Sequence, residues 1–303
     1  MLTPRQPYAH LAALDLAPGA NRARAATLLR AWTAAAERMS RGEAPGDTAA
    51  DTGVALGGGP ASLTVTFGFG AGFFERVGLG PARGGAATRW EMAGFTRPPG
   101  IGSAAATHRN LMGQIDGTAN PAPAADPDRR ARILVEGPDA PGWLRGGSYV
   151  VVRRIRMLLD HWEGLPEHHR EEAIGRRVAD GAPLTGGTER TPVDLDAARP
   201  DGVPVIAANA HIRPAAPKGN SGATMLRRGW SHYDGRRPDG APDAGMLFVA
   251  WQSDPRTGFV PVQHRLARGD ALARYVVHEA SALFVAARGP RRGEWVGQSL
   301  LEG

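Results

Sequence analysis

Asp116 lies between glycines in a stretch with almost no apolar bulk, residues 113–121 (GQIDGTANP). A carboxylate in such a run raises the question of a chemical role. Asp-Gly and Asn-Pro are also strong turn formers, and an aspartate side chain readily bonds its own backbone. Taken alone, the stretch therefore predicts a turn, with chemistry at Asp116 as the alternative.

The composition restricts the chemistry that other side chains can perform. The 303 residues contain no cysteine, which excludes disulfides, thiolate metal sites, iron–sulfur clusters and a cysteine nucleophile. Any metal must then be held by histidine, by a carboxylate or by a cofactor, and the chain has nine histidines. Composition alone does not select one of them as a ligand.

The charge is positive but dispersed. The chain has 36 basic and 30 acidic residues, a formal net charge of +6, which would favour nucleic acid or an anionic surface as a partner. Lys218 is the only lysine, however, and the arginines are interleaved with Ala, Gly and Pro instead of forming a basic block. We therefore expect no nucleic-acid partner. We also expect no membrane span, and localisation stays open between the cytoplasm and export.

The elements that must position these side chains are irregular in the first half. Residues 8–17 predict a strand, and residues 21–41 predict a helix with one apolar face. Residues 43–60 have the composition of a loop. Residues 61–70 (ASLTVTFGFG) alternate strictly and predict a strand with one wet face. Residues 80–145 are dominated by Gly, Pro and Ala, and a structureless stretch of that length usually has a function.

The second half is more regular. Its predicted elements alternate between strand and helix: strand 146–157, helix 158–177 with a break at Pro166, strand 245–252, helix 270–280 that Asp270 could cap, and strand 281–287. Residues 180–225 are predicted to be mostly loop. Because strands and helices mix without a repeated parallel crossover, the predicted class is α+β with antiparallel sheets, and the order suits a ferredoxin-like unit.

Six sequence blocks occur in an order that carries a family resemblance: GQIDGTANP, GGSYVVVRRIRMLLDHWEG, AANAHIRPAAP, MLRRGWSHYDG, GMLFVAWQSDPRTGFVPVQHRLA and SALFVAARG. The chain resembles the dye-decolorizing peroxidases, in particular the branch that includes bacterial deferrochelatase/peroxidases. The resemblance runs from about Thr3 to Ala287. It implies two ferredoxin-like halves packed into a dimeric α+β barrel, with an N-terminal half at 1–109, a linker with the distal loop at 110–145, and a haem-binding half at 146–303.

The resemblance also implies the active site. His211 in NAHIR would be the proximal ligand of the iron of haem b, Asp116 the distal acid/base, and Arg227 in MLRRGW the distal cation. These types suit peroxidase chemistry, because imidazole is a common axial donor, a carboxylate can carry a proton between the two peroxide oxygens, and arginine stabilises negative charge on the leaving oxygen. Further implied haem contacts are Gly117, Thr118 and Ala119 on the distal face, and Arg213, Ala216, Pro217, Lys218 and Arg227 elsewhere.

The sequence departs from the family in two places. Relatives usually read Asn-Pro-Arg after the ligand histidine, where this chain has Ala216-Pro217-Lys218, so bidentate contact with a haem propionate is lost and Arg213 could compensate. A strand and a helix also fail to appear between the FGFGAGFFERVGLG and ATRWEMAGF segments, where only PARGG intervenes. We expect a reduced N-terminal half with an open sheet edge, closed by self-association.

Three functions compete. The first is a haem peroxidase that takes hydrogen peroxide and an organic electron donor, with Trp230, Tyr233 and Trp251 as conceivable electron relays that are more simply core residues. The second is a haem-binding or iron-releasing, deferrochelatase-like protein with little turnover. The third is a cofactor-free ferredoxin-like binding module. The joint presence of Asp116, His211 and Arg227 favours the enzyme, because a carrier needs no distal pair.

Overall fold

The computed structural model describes residues 5–46, 59–79, 90–96, 107–121 and 127–303. Seven strands occur there: β1 Tyr8–Ala13, β2 Gly68–Phe69, β3 Trp90–Phe95, β4 Ser148–Met157, β5 Leu226–Arg236, β6 Pro242–Gln252 and β7 Val276–Ala286. The α-helices are α1 Arg22–Ser40, α2 Ala71–Arg76, α3 Pro127–Ile133, α4 Leu159–Glu163, α5 Glu167–Ile174, α6 Ile212–Ala215, α7 Phe259–Gly269 and α8 Gln298–Leu301. Two 3-10 turns span Pro217–Gly219 and Ala271–Tyr275.

The second half forms a ferredoxin-like unit. Its four strands lie side by side in the order β5-β6-β4-β7, and every pairing is antiparallel. Helices α4 and α5 connect β4 to β5, and α7 connects β6 to β7. This strand–helix–strand–strand–helix–strand sequence is the ferredoxin-like connection, so the predicted α+β class with antiparallel strands is confirmed.

The strands of the first half extend this unit at both ends. β3 joins β5 through Phe95 and Ser231, and β1 pairs with β3, while at the other end β2 pairs with β7. In the described part of the chain the sheet therefore ends at β1 and β2. The PARGG segment, where a strand and a helix are expected to be missing, lies outside the described residues. The predicted division of the chain into 1–109, 110–145 and 146–303 stays a prediction.

Two secondary-structure predictions are corrected. Residues 270–280 do not form a helix, because the chain makes a 3-10 turn and then enters β7 at Val276, where β-branched residues pair with β4. Only Gly68 and Phe69 of the predicted strand 61–70 join a ladder, and Leu63 and Val65 are exposed, since no described strand lies beside them. Strand β5 was not predicted, because its charged and glycine residues hide the alternation.

The centre of the sheet is buried on both faces, which explains the uninterrupted valines of β4. Val150 and Val152 belong to one core cluster, which α3 covers with Ile133. Val151 belongs to a second cluster on the opposite face, which α7 covers with Val262. In the described residues, no helix is long and apolar enough to span a membrane.

Candidate active site

The loop that carries Asp116 is a tightly bonded turn. The Asn110 carboxamide oxygen accepts two following backbone N–H groups at 3.0 and 3.2 Å, and the Asp116 N–H donates to the His108 carbonyl at 3.0 Å. Gly113 and Gly117 have φ values of +80° and +109°, a region that side chains other than glycine's rarely adopt. The predicted turn is therefore correct, and the glycines are explained by backbone conformation. The turn fixes the position of the aspartate between them.

Asn120 fastens this loop to strand β5. Its Nδ2 donates to the Arg227 carbonyl at 2.7 Å, and its Oδ1 accepts the Arg227 N–H at 3.0 Å and the Arg227 Nε at 3.4 Å. The side chain thus pairs with the backbone of Arg227 as a neighbouring strand would. Two residues that are 107 positions apart in the sequence are brought together, and with them the Asp116 loop and the arginine predicted as the distal cation.

The alternation of β5 decides which residues face Asp116. Trp230 belongs to the core cluster on one side of the sheet, so Arg227 and Gly229 lie on the other side, and Arg228 shares the side of Trp230. A Cβ on Gly229 would lie 3.1 Å from Asp116 Oδ2, so this glycine leaves room for the carboxylate. The geometry therefore favours Arg227 over Arg228 as the partner of Asp116.

A second arginine approaches the same carboxylate from the N-terminal segment. Arg5 donates from Nη1 to the Gly229 carbonyl and lies over the Trp230 ring, 5.7 Å from its centroid. Burial lowers the pKa of Arg5 to about 10, although the charge of Asp116 opposes that shift. Arg5 is therefore a second positive charge near Asp116, in addition to the predicted distal cation Arg227.

A buried glutamate, Glu189, binds the loop of Asp116 through two hydrogen bonds. Glu189 Oε1 accepts from the hydroxyls of Thr107 at 2.5 Å and Thr118 at 3.0 Å. Arg176 donates from Nη1 to the Glu189 carbonyl at 3.1 Å. Burial lowers the pKa of Arg176, and the nearby positive charge of Arg227 lowers it further. Glu189 and Arg176 thus tie the segment after α5 to the loop of Asp116.

The residues predicted to line the distal haem face have different surroundings. Gly117 adopts a conformation suited to glycine, the Thr118 hydroxyl is engaged by Glu189, and Ala119 is exposed. These three positions stay predicted haem contacts.

On the proximal side, His211 is oriented by an aspartate. Its Nδ1 lies 2.8 Å from Oδ2 of the buried Asp270, whose Oδ1 accepts the Leu272 N–H at 2.9 Å. The backbone N–H of His211 donates to the Ala173 carbonyl at 2.8 Å. A carboxylate on Nδ1 holds the proton there and leaves the Nε2 lone pair free for a metal. Within the described residues Nε2 makes no hydrogen bond, so the donor fits an axial ligand of haem iron.

The two sides of the candidate site share one core cluster. Met112, from the Asp116 loop, and Ile212, which follows His211, both pack in the cluster built around Trp162. The Trp162 Nε1 donates to the Met112 carbonyl at 2.9 Å. The packing therefore brings together loops that are far apart in the sequence.

The groups predicted to meet a haem propionate are largely engaged elsewhere. Arg213 donates from Nε to the carbonyls of Ile206 and Ala207, each at 3.1 Å. The Lys218 Nζ pairs with Asp196 Oδ2 at 2.6 Å, and both side chains are exposed. Ala216 and Pro217 form the junction between α6 and the following 3-10 turn.

Arg265, on α7, is a better candidate for an anionic group. Its Nη1 is buried and has no hydrogen-bond partner in the described part of the chain. A Cβ on Gly219 would lie only 1.5 Å from this Nη1, so the guanidinium rests against the turn Pro217–Gly219 that follows His211. A buried N–H group without a partner is costly, and a carboxylate would satisfy it.

Sequence reasoning missed four functional candidates, for a common reason. Asn120 reads as a turn residue, Asp270 as a helix cap, Glu189 as part of a loop and Arg265 as one of many arginines. Asp270 does cap the 3-10 turn, but its second oxygen binds His211. The groups that these four side chains contact are far away along the chain, so no local sequence pattern reveals the contacts.

Comparisons with known proteins identify the family of this chain. The family model described as Dyp-type peroxidase, C-terminal, matches residues 107–291, and the N-terminal model matches residues 1–116. The dye-decolorizing peroxidase of Thermobifida fusca (strain YX) is 43% identical over 359 residues, which covers 99% of this chain and 82% of that protein. A deferrochelatase of Shigella flexneri serotype 5b (strain 8401) is 36% identical over 219 residues, which covers 71% of this chain and 51% of that protein.

A solved structure, ferric DtpA from Streptomyces lividans, has 46% sequence identity and a TM-score of 0.91, and the match covers 100% of this chain and 94% of that one. Both family models and the full-length relative agree with the six sequence blocks, and the resemblance is confirmed. The chain belongs to the Dyp-type peroxidase family.

Proposed function

We propose that this chain is a haem b peroxidase that reduces hydrogen peroxide and oxidises an organic donor in one-electron steps. The observation that carries the proposal is the Asn120 clamp, which joins the loop of Asp116 to Arg227. Family membership supports haem as the cofactor, since structures of the similar DtpA are described as ferric and oxyferrous.

His211 would hold the iron through Nε2, with Asp270 keeping the ring oriented and its Nδ1 protonated. Arg265, buried beside the turn that follows His211, would bind a propionate, with Lys218 and Arg213 as weaker contributors. When bound, haem would supply an iron centre that hydrogen peroxide can oxidise and that the donor can then reduce in one-electron steps. Side chains of this protein would carry out the proton transfer and stabilise the developing charge.

Asp116 would take a proton from one peroxide oxygen and return it to the other, which makes the departing oxygen a water molecule. Its carboxylate forms no hydrogen bond within the described residues, so it is available to the substrate. Arg227 uses Nε on Asn120, and its two Nη groups have no partner in that same part of the chain. Those groups would stabilise negative charge on the departing oxygen.

A deferrochelatase-like activity is the second candidate, because relatives at 36% identity carry that name. This chain spans about half the length of those relatives, 51%. The Asn120 clamp favours the peroxidase, since iron release requires no fixed arrangement of Asp116 and Arg227.

We also propose that the protein self-associates. The described sheet ends at β1 and β2, and β1 begins at Tyr8, which is 77% exposed. Sedimentation equilibrium should give at least twice the monomer mass of 31.9 kDa, and a monomer at high concentration would refute self-association.

The test of the peroxidase starts with hemin titration of the full chain, followed by one equivalent of hydrogen peroxide at mildly acidic pH. We expect a sharp Soret band that changes with peroxide and returns when a dye is added. Asp116→Asn and Arg227→Ala should keep the band and slow its response, whereas His211→Ala should lose it. His264→Ala, at an exposed position of α7, is the matched control. A band that only bleaches would refute turnover, and no band would refute haem binding.

A further inference from the structure

A small cavity lies behind Asp116. Asp116, His108, Thr96, Gly229 and Ser231 are among the residues that line it, and its volume is about 10 Å³. That is room for one water molecule. Four of these residues, all except Gly229, have side chains with polar atoms that can bond such a water, so the cavity is polar enough to hold it.

His108 has an unmet hydrogen-bonding requirement at this cavity. Its Nε2 is buried and has no partner in the described part of the chain. Burial lowers the pKa of His108, and the charge of Arg5 lowers it further, while Asp116 opposes both. This shift favours the neutral ring, in which one nitrogen can accept a hydrogen bond and the other can donate one.

The charged groups around His108 come from three segments. Arg5 approaches from the N-terminal segment and Arg228 from β5, close enough to act on Arg5. Asp116 and Arg109 belong to the same loop as His108. The Arg109 guanidinium donates to the carbonyls of Gly113 and Ala179, both at 2.7 Å, and so is committed to the backbone.

The overall reaction requires protons from outside the site. Reduction of hydrogen peroxide follows H2O2 + 2H⁺ + 2e⁻ → 2H2O, in which the donor supplies the two electrons. Transfer of one proton by Asp116 between the peroxide oxygens adds none to this balance. Electrons can cross the protein from a donor at its surface, but protons need a chain of groups that can be protonated and deprotonated.

We propose that His108 relays protons from solvent to Asp116 through a water molecule in this cavity. His108 does not touch peroxide and acts through Asp116, so the inference rests on the proposed function. The first step, which only moves a proton within the site, does not need the relay. The later electron-accepting steps do need it, and this difference separates a relay from a structural role.

The experiment uses the haem-loaded full chain in stopped flow. One equivalent of hydrogen peroxide is mixed first, and ferrocyanide is added second because it supplies electrons without protons. His108→Gln and His108→Ala are compared with His278→Gln, a control at an exposed position of β7 that is far from the cavity in sequence and does not line it. Both phases are followed in H2O and in D2O across the pH range.

We expect both His108 variants to react with peroxide at the wild-type rate. Their ferrocyanide phase should slow by on the order of 100-fold, with a larger solvent isotope effect and a lost pH dependence. Imidazole should restore that phase in His108→Ala. A ferrocyanide phase at the wild-type rate would overturn the proposal, as would equal slowing of both phases. A wild-type protein that fails to react with peroxide would refute the proposed function instead.

Discussion

Replacement of Asn120 by alanine removes the side chain that holds the Asp116 loop against Arg227. Two hydrogen bonds of good length are lost, at 2.7 and 3.0 Å, and the Arg227 N–H and carbonyl lose their partners. At about 1 kcal/mol for each bond, the free energy of unfolding should fall by about 2 kcal/mol. The side chain is partly buried, so water can replace only part of the lost bonding.

The effect on activity should exceed the effect on stability. Once the loop is released, Asp116 and Arg227 no longer keep a fixed separation, and a misplacement of about 1 Å lowers a rate on the order of 100-fold. Asn120→Asp provides a sharper comparison. It keeps an acceptor for the Arg227 N–H but places a second acceptor against the Arg227 carbonyl, so it should be at least as slow as Asn120→Ala.

Urea unfolding of the apo and haem-loaded protein measures stability, and stopped-flow mixing with hydrogen peroxide measures the rate. Asn209→Ala, an exposed asparagine whose side chain makes no hydrogen bond in the described residues, is the matched control. If Asn120→Ala reacted with peroxide as fast as the wild type while its stability fell, the clamp would not position the distal pair. If neither stability nor rate changed, the hydrogen bonds between Asn120 and Arg227 would not form in the protein.

Three further predictions concern haem affinity and pH. Asp270→Asn keeps a hydrogen-bonding group for His211 but loses the charge, so hemin affinity by Soret titration should fall by about 10- to 100-fold; an unchanged affinity would refute the orienting role. Arg265→Leu should weaken hemin binding without destabilising the apoprotein, because it removes a buried nitrogen, Nη1, that has no partner in the described residues, while Arg268→Leu, exposed on the same helix, should change neither quantity. Burial lowers the pKa of His232 below its reference of 6.5, so the unfolded state takes up the proton first and stability is lost as pH falls below about 6.5. His232→Leu should therefore flatten the pH dependence of the urea midpoint between neutral pH and about pH 5, and an identical slope would count against that assignment.

The order of sequence blocks was sufficient to identify the family, because each block keeps the local residues that its chemistry or its turn requires. GQIDGTANP needs glycine where φ is positive, at Gly113 and Gly117, and such positions show in the sequence itself. The ferredoxin-like order of the second half was visible only in part. The long apolar run of β6 was recognised, but β5 was not predicted, and the second helix was placed at 270–280 instead of at α7.

Local propensity failed where a tertiary partner decides the structure. Residues 276–280 have a helix-compatible pattern but lie in β7, because they pair with β4, with a register shift between Arg154 and Ile155. Residues 61–67 have a strand pattern but join no ladder with any described residue, and a strand needs a neighbour to satisfy its backbone.

Only the tertiary structure shows what holds the candidate site together. The Asn120–Arg227 pairing, the Asp270–His211 contact and the unpartnered nitrogens of Arg265 and His108 each depend on groups separated by long stretches of chain. Hydrogen bonding and burial are properties of atoms in space, whereas a single sequence records only neighbours along the chain. The sequence by itself therefore determined the family and the residue types of the site, and the fold decided which side chains orient them.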